Sequence, residues 1–178
     1  FWLVVMILFF YVCAEASFMG WLVTYFTDTG KVSKEIAPSI SSLLWLMILI
    51  GRLSVAALST KIRKKLLLVI LSISMLFFFI VMTSAQTTML TILGVLGVGL
   101  SMAGIYPTAL STLDNAFNSS TVATGTCIAV ATVGGILMPA IIGAVAEQSG
   151  INAGIMTIAG ALVILIILSI IKFLSKNS

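Results

Sequence analysis

Tyr11-Val12-Cys13-Ala14-Glu15-Ala16-Ser17-Phe18-Met19-Gly20-Trp21 sets a single carboxylate inside an otherwise apolar run from Phe1 to Phe26. The run exceeds the roughly 20 residues that an apolar helix needs to cross the hydrocarbon core of a bilayer. A charge near mid-bilayer costs about 2.5 to 3.5 kcal/mol on insertion scales, so it is seldom kept without a partner or a task. At about 100° per residue, Tyr11, Glu15, Phe18, Leu22 and Tyr25 fall on one helical stripe, with Trp21 at its edge. That face offers an acid, two hydroxyls and aromatic rings. Rings stack on the apolar C–H face of a sugar while oxygens bind its hydroxyls, which makes Glu15, Trp21, Tyr11 and Tyr25 candidate substrate-binding residues. The acid could instead exchange a proton, because the charge state of a poorly hydrated carboxyl responds to its neighbours. A plainer alternative is a protonated Glu15 hydrogen-bonded to a neighbouring helix, with the aromatics packing or facing lipid. Gly20 weakens the helix just after the acid, and a local break there would swing Trp21 toward the same space.

The rest of the chain has the same character. Hydrophobic residues make up 61% and charged residues 8%, far from the balance of a soluble domain, so the fold class is an all-α integral membrane protein. The net charge of +4 comes from basic residues confined to short loops and the tail, where they orient a chain in the membrane; no nucleic-acid partner is expected. Cys13 and Cys127 lie in separate apolar runs and the sequence has no His, so neither a disulfide framework nor a Cys/His metal site is suggested. No cofactor is expected beyond a proton as candidate coupling ion. Without a His, a paired acid or a GxSxG-type elbow there is no nucleophile and base to make an enzyme. Phe1 is not a Met and already lies within an apolar segment, so an upstream part is expected to be missing.

Six spans are expected, at about 1–27, 38–58, 66–84, 89–113, 121–146 and 152–172, in a single transmembrane domain with the lipid bilayer as its surroundings. Pro38 suits the first turn of the second. Six spans put both ends on one side. Lys61, Arg63, Lys64, Lys65, Lys172 and Lys176 share that side, against Lys31 and Lys34 on the other, and the positive-inside rule makes the six-charge side cytoplasmic. The Asn118-Ser119-Ser120 sequon then faces the cytoplasm and should carry no glycan. Arg52, about two turns before the basic loop, either snorkels to the surface or joins an ion pair, with Asp114 as the partner at that face.

Spans four and five are rich in small residues. Gly97, Ser101 and Gly104 give one small face, and Gly135, Pro139 and Gly143 another, either for close packing or for helices that slide and flex. Pro107 follows Tyr106 late in the fourth span. The backbone groups it frees are tolerated only against protein or a watery cavity, which brings a cavity near Tyr106 and adds Tyr106 to the substrate-binding candidates.

This order of spans resembles the C-terminal half of a major facilitator superfamily transporter over essentially the whole chain. The stretch from Gly51-Arg52-Leu53-Ser54 to Arg63-Lys64-Lys65 is similar to the superfamily's loop motif, although Thr60 stands where an acid is usual and Arg63 where a glycine is usual. Gly99-Leu100-Ser101-Met102-Ala103-Gly104-Ile105-Tyr106-Pro107-Thr108 is similar to the fourth helix of the C-terminal half in the fucose–proton symporter branch. The opening Tyr11-to-Trp21 stretch resembles that branch's first C-half helix, with Cys13 where a Gly is typical. The resemblance implies a twelve-helix transporter, of which this chain supplies six helices as a 3+3 inverted repeat, the partner being an N-terminal six-helix half. It also implies a substrate cavity between the halves, a small-molecule substrate such as a sugar, proton-coupled symport and alternating access in the cell membrane. Arg52 and Asp114 would then gate the cytoplasmic side, and Gly20, Pro107, Gly135, Pro139 and Gly143 would let helices flex. An exporter of amphipathic compounds and a non-transporting scaffold or partner subunit are the alternatives.

Overall fold

A computed structural model of the chain describes residues 1–113 and 120–175. Asp114, the Asn118 and Ser119 of the sequon, and Lys176 lie outside the described residues. The described residues form helices α1 (Trp2–Thr29), α2 (Ala37–Leu58), α3 (Lys64–Ser84), α4 (Thr88–Met102), α5 (Ile105–Leu110), α6 (Thr121–Ser149) and α7 (Ile151–Leu174). With α4 and α5 counted as one interrupted span, six helices among the described residues are long and apolar enough to cross a membrane, as in a multi-pass membrane protein.

Local chemistry sets the ends. Gly30 (φ 67°) closes α1 in the left-handed conformation, which glycine adopts without a Cβ penalty. Pro38 sits in the first turn of α2, where its missing N–H costs nothing. Thr87 and Ser120 cap α4 and α6, their hydroxyls accepting from the N–H groups of Leu90 and Ala123, each at 3.3 Å. The fourth span departs from the uninterrupted helix expected at 89–113: α4 stops at Met102 and α5 begins at Ile105. Pro107 has no N–H for the carbonyl of Ala103, and Gly104 adds little helical preference of its own.

α1 is the centre of the bundle. It packs along α6 and α7 and also touches α2 and α5, whereas α4 packs on α2 and α3, and α3 packs on α7. The interior holds large apolar side chains, among them Tyr11, Phe26, Met75, Phe79 and Met102. Between α3 and α7 the hydroxyls of Ser72 and Ser169 meet at 3.2 Å, a buried polar link in a place where lipid offers no competing water. Facing outward, Trp45 (59% exposed) and Leu53 (68%) on α2, and Ile136 (67%) on α6, give apolar surface suited to a bilayer or to other helices.

Loop contacts sort the two ends of the bundle. Lys31 Nζ donates to the Ala85 carbonyl at 2.5 Å and Thr88 Oγ1 to the Lys31 carbonyl at 3.1 Å, so the turns after α1 and α3 meet. At the opposite end Lys65 Nζ, at the start of α3, donates to the carbonyl of Ser175 just past α7, at 2.9 Å.

Candidate functional site

Glu15 lies one helical turn beyond Tyr11 on α1, and both open onto a cavity of about 810 Å³. α2 supplies a second wall from Arg52, Val55, Ala56 and Ser59, whose spacing of three, four and seven residues puts them on one helical face. The third wall is the interrupted span, where Ala103 and Gly104 lie in the break and Tyr106, Pro107, Thr108 and Ser111 follow it. Lys64, at the first turn of α3, completes the lining.

The Tyr11 hydroxyl is the focus of this site. Its ring is buried, and its oxygen lies 2.7 Å from Glu15 Oε1 and 2.9 Å from the carbonyl of Met102, the last residue of α4. The ring centroids of Tyr11 and Tyr106 are 6.3 Å apart and tilted, within the range of a favourable aromatic pair. Arg52 is close enough for its charge to act on both Glu15 and Tyr11. Among the described residues no ion pair ties it to Glu15, so the guanidinium stands on the wall of the cavity. Asp114, expected as its partner, falls outside the described residues.

An acid, two cations and five hydroxyl-bearing side chains around one space can accept from and donate to a hydroxylated solute, and the acid can hold a proton. Cys13 and Cys127 are free and buried, and the described residues contain no group of three or more His, Cys, Asp or Glu able to hold a metal.

The other sequence candidates divide. Tyr106 and Pro107 line the cavity with Tyr11, Glu15 and Arg52. Trp21 and Tyr25 do not. Trp21 lies on the α6 side of α1, where Nε1 donates to the Pro139 carbonyl at 3.2 Å and the ring faces Gly143. Tyr25 is buried against Phe26. The break expected at Gly20 is absent: α1 is continuous from Trp2 to Thr29, because an exposed glycine in a long apolar helix costs only about 1 kcal/mol, too little to interrupt it. α6 likewise runs through Gly135, Pro139 and Gly143 as one helix. Of its glycines, the one that sits tightest against α1 is a neighbour that the sequence reading passed over. A Cβ on Gly134 would sit 2.8 Å from both Cys13 Sγ and the Phe9 carbonyl, whereas one on Gly135 would meet Val12 at 3.0 Å.

Ser59, Lys64, Thr108 and Ser111 were also passed over. Ser59 is seven residues from Arg52 and Ser111 four from Pro107, so helical spacing from residues already singled out was a usable signal. Lys64 carried none beyond its place in a basic loop. No protein-family model matches the chain, and no curated protein matches it.

Proposed function

We propose that the chain is the C-terminal six-helix half of a major facilitator superfamily transporter that takes up a small polar solute, most simply a sugar, together with a proton by alternating access. The observation that carries this is the cavity onto which Glu15, Tyr11, Arg52 and Tyr106 open beside an interrupted membrane helix. Its volume of about 810 Å³ lies in the range typical of small-molecule sites. The lining supports a polar solute over an amphipathic export substrate, since it carries hydroxyls and charges, and among the described residues its aromatics are the two tyrosines. A scaffold role would suit a Glu15 sealed in a dry helix interface, which is not its setting.

Within the sugar class, the two cations of the lining, Arg52 on α2 and Lys64 at the start of α3, favour a sugar bearing a carboxylate or phosphate over a neutral one. The packing of α1 on α6 and α7, and of α4 on α2 and α3, supports a 3+3 inverted repeat, because each triplet's first helix embraces the other triplet's second and third. The basic end of the bundle is cytoplasmic in this proposal, both ends of the chain lie on that side of the cell membrane, and an N-terminal six-helix half closes the cavity. Arg52, with Asp114, latches the cytoplasmic end.

Uptake of radiolabelled neutral and acidic sugars by the full-length parent in proteoliposomes, with and without an inward proton gradient, tests the proposal. Gradient-driven accumulation, stronger for the acidic sugars, is expected. Failure of every sugar to accumulate would overturn it in favour of export, with a scaffold role next.

A further inference from the structure

A phenol has one proton to donate, and a backbone carbonyl can only accept. The Tyr11 oxygen nevertheless stands within hydrogen-bond distance of two acceptors, Glu15 Oε1 at 2.7 Å and the Met102 carbonyl at 2.9 Å. Tyr11 cannot donate to both. While Glu15 is a carboxylate, the charge-assisted bond to Oε1 is the stronger and takes the phenol proton, which leaves the Met102 carbonyl without it. Once Glu15 is protonated, that charge is gone. The carboxyl O–H can then donate to the Tyr11 oxygen while Tyr11 turns its own proton to Met102, a relay in which each bond polarises the next.

We infer that Tyr11 is a positioning residue whose hydroxyl changes partner with the protonation of Glu15, so that a proton arriving at the acid fastens α1 to the broken end of α4. The proton enters from the cavity and stays on the carboxyl; the phenol keeps its own proton and only rotates. Met102 is where α4 stops, two residues before Gly104 and five before Pro107, so the bond made or lost lies at the interruption of the span that forms one wall of the cavity. As the step that couples a proton to helix movement, this rests on the transport proposal; as a proton-dependent hydrogen bond it does not.

The groups around Glu15 are few. Arg52 approaches from α2, Tyr106 from α5 and Lys64 from the start of α3, all lining the same cavity. α6 brings Cys127, near enough to Tyr106 for the two to interact, and its other ionisable side chain is Glu147, near the far end of that helix. The one ionisable side chain on the described part of α7 is Lys172, in its last turn.

Isotope-edited infrared spectroscopy of the protein in lipid nanodiscs, without solute, reads the exchange directly. Carbonyl-13C methionine labels Met102, and Met102→Leu identifies its amide band; Glu15→Gln identifies the Glu15 carboxyl band. On titration from acid to alkaline pH, loss of the Glu15 carboxyl band should coincide with a shift of the Met102 band to higher frequency, as its carbonyl loses a donor. In Tyr11→Phe the carboxyl still titrates and the Met102 band stays still. In Glu15→Gln, which stays neutral, the Met102 band keeps its low-frequency position at every pH. A Met102 band that ignores Glu15 titration overturns the exchange, as does one that shifts equally in Tyr11→Phe, or a Glu15 that never changes protonation state. None of these outcomes depends on uptake, so loss of the transport proposal and loss of the switch remain separate results.

Discussion

Two spans of this bundle carry a proline past their midpoint, and only one of them breaks. Pro107 and Pro139 each lack an N–H and so leave a carbonyl four residues back, at Ala103 and Gly135, without its helical donor. In the fourth span the helix stops at Met102 and resumes at Ile105; the fifth runs from Thr121 to Ser149 without interruption. The neighbours differ. α6 lies pressed on α1, with Gly134 against Cys13 and Phe9, the Trp21 indole bonded to the Pro139 carbonyl, and Gly143 beside the Trp21 ring. The fourth span has Gly104 packed on Val55 and then opens onto the cavity, where Tyr11 bonds Met102. A proline weakens a helix without by itself breaking it, and exposure to the cavity is not what breaks the fourth span, since Met102, Ala103 and Ile105 at the break are buried.

The largest effect should come from healing the break. Pro107→Ala restores an N–H and removes a penalty of about 3 kcal/mol in a helix interior, enough to bias a two-state segment by about a hundredfold toward the continuous form. Uptake in proteoliposomes should fall by about that factor while the protein becomes more resistant to heat. Pro139→Ala, in a helix already continuous, should raise thermal stability and leave uptake within roughly twofold. Equal losses from the two variants would dissolve the distinction between the spans.

The packed interface should break next. A methyl on Gly134 would meet a backbone carbonyl at 2.8 Å, which cannot rotate aside, so Gly134→Ala should cost about 1–3 kcal/mol, read as a lower midpoint of thermal unfolding. Gly143→Ala, nine residues along the same helix, meets only the Trp21 ring at 3.4 Å and should be close to neutral. A tolerated Gly134→Ala would mean that α6 is not held against α1, and something else would have to keep the proline-bearing helix whole.

Trp21→Phe is the finer probe of the same interface. It removes the donor to the Pro139 carbonyl, worth about 1 kcal/mol, and keeps most of the ring. Stability should drop by that amount with the KM of the proposed uptake unchanged. A raised KM would return Trp21 to the substrate, as its place near the Tyr11 and Glu15 stripe first suggested.

The Trp21 placement shows what the sequence could and could not carry. The six spans were legible because each is an apolar run of membrane length bounded by polar turns, and their expected limits fall within a few residues of the helices apart from the break in the fourth. The core of the cavity was legible too, since an acid and a tyrosine one turn apart, an arginine inside an apolar span and a Tyr-Pro pair are each out of place in plain packing. Direction at the edge of a stripe was not legible. Trp21 lies about 80° from the middle of the Tyr11 stripe, and helical phase does not say which neighbouring helix fills that angle. Which glycine of the Gly134-Gly135 pair meets α1 depends on the same missing phase between helices.

Gly20 gives the smallest effect, at a position where a glycine five residues past Glu15 could have marked a hinge. A Cβ added there meets nothing within 4 Å, and the helix passes through it unbroken. Gly20→Ala should therefore only remove the entropic cost of glycine in a helix, raising stability by about 0.5–1 kcal/mol with uptake unchanged. A slower uptake at equal or higher stability would mean that α1 bends at Gly20 during the proposed transport cycle, and flexibility would then belong to the helix that carries Glu15 as well as to the one that Pro107 interrupts. Unchanged uptake would leave the break beside Pro107 as the point of interruption among the described cavity-lining helices, with Tyr11 the side chain from α1 that reaches it.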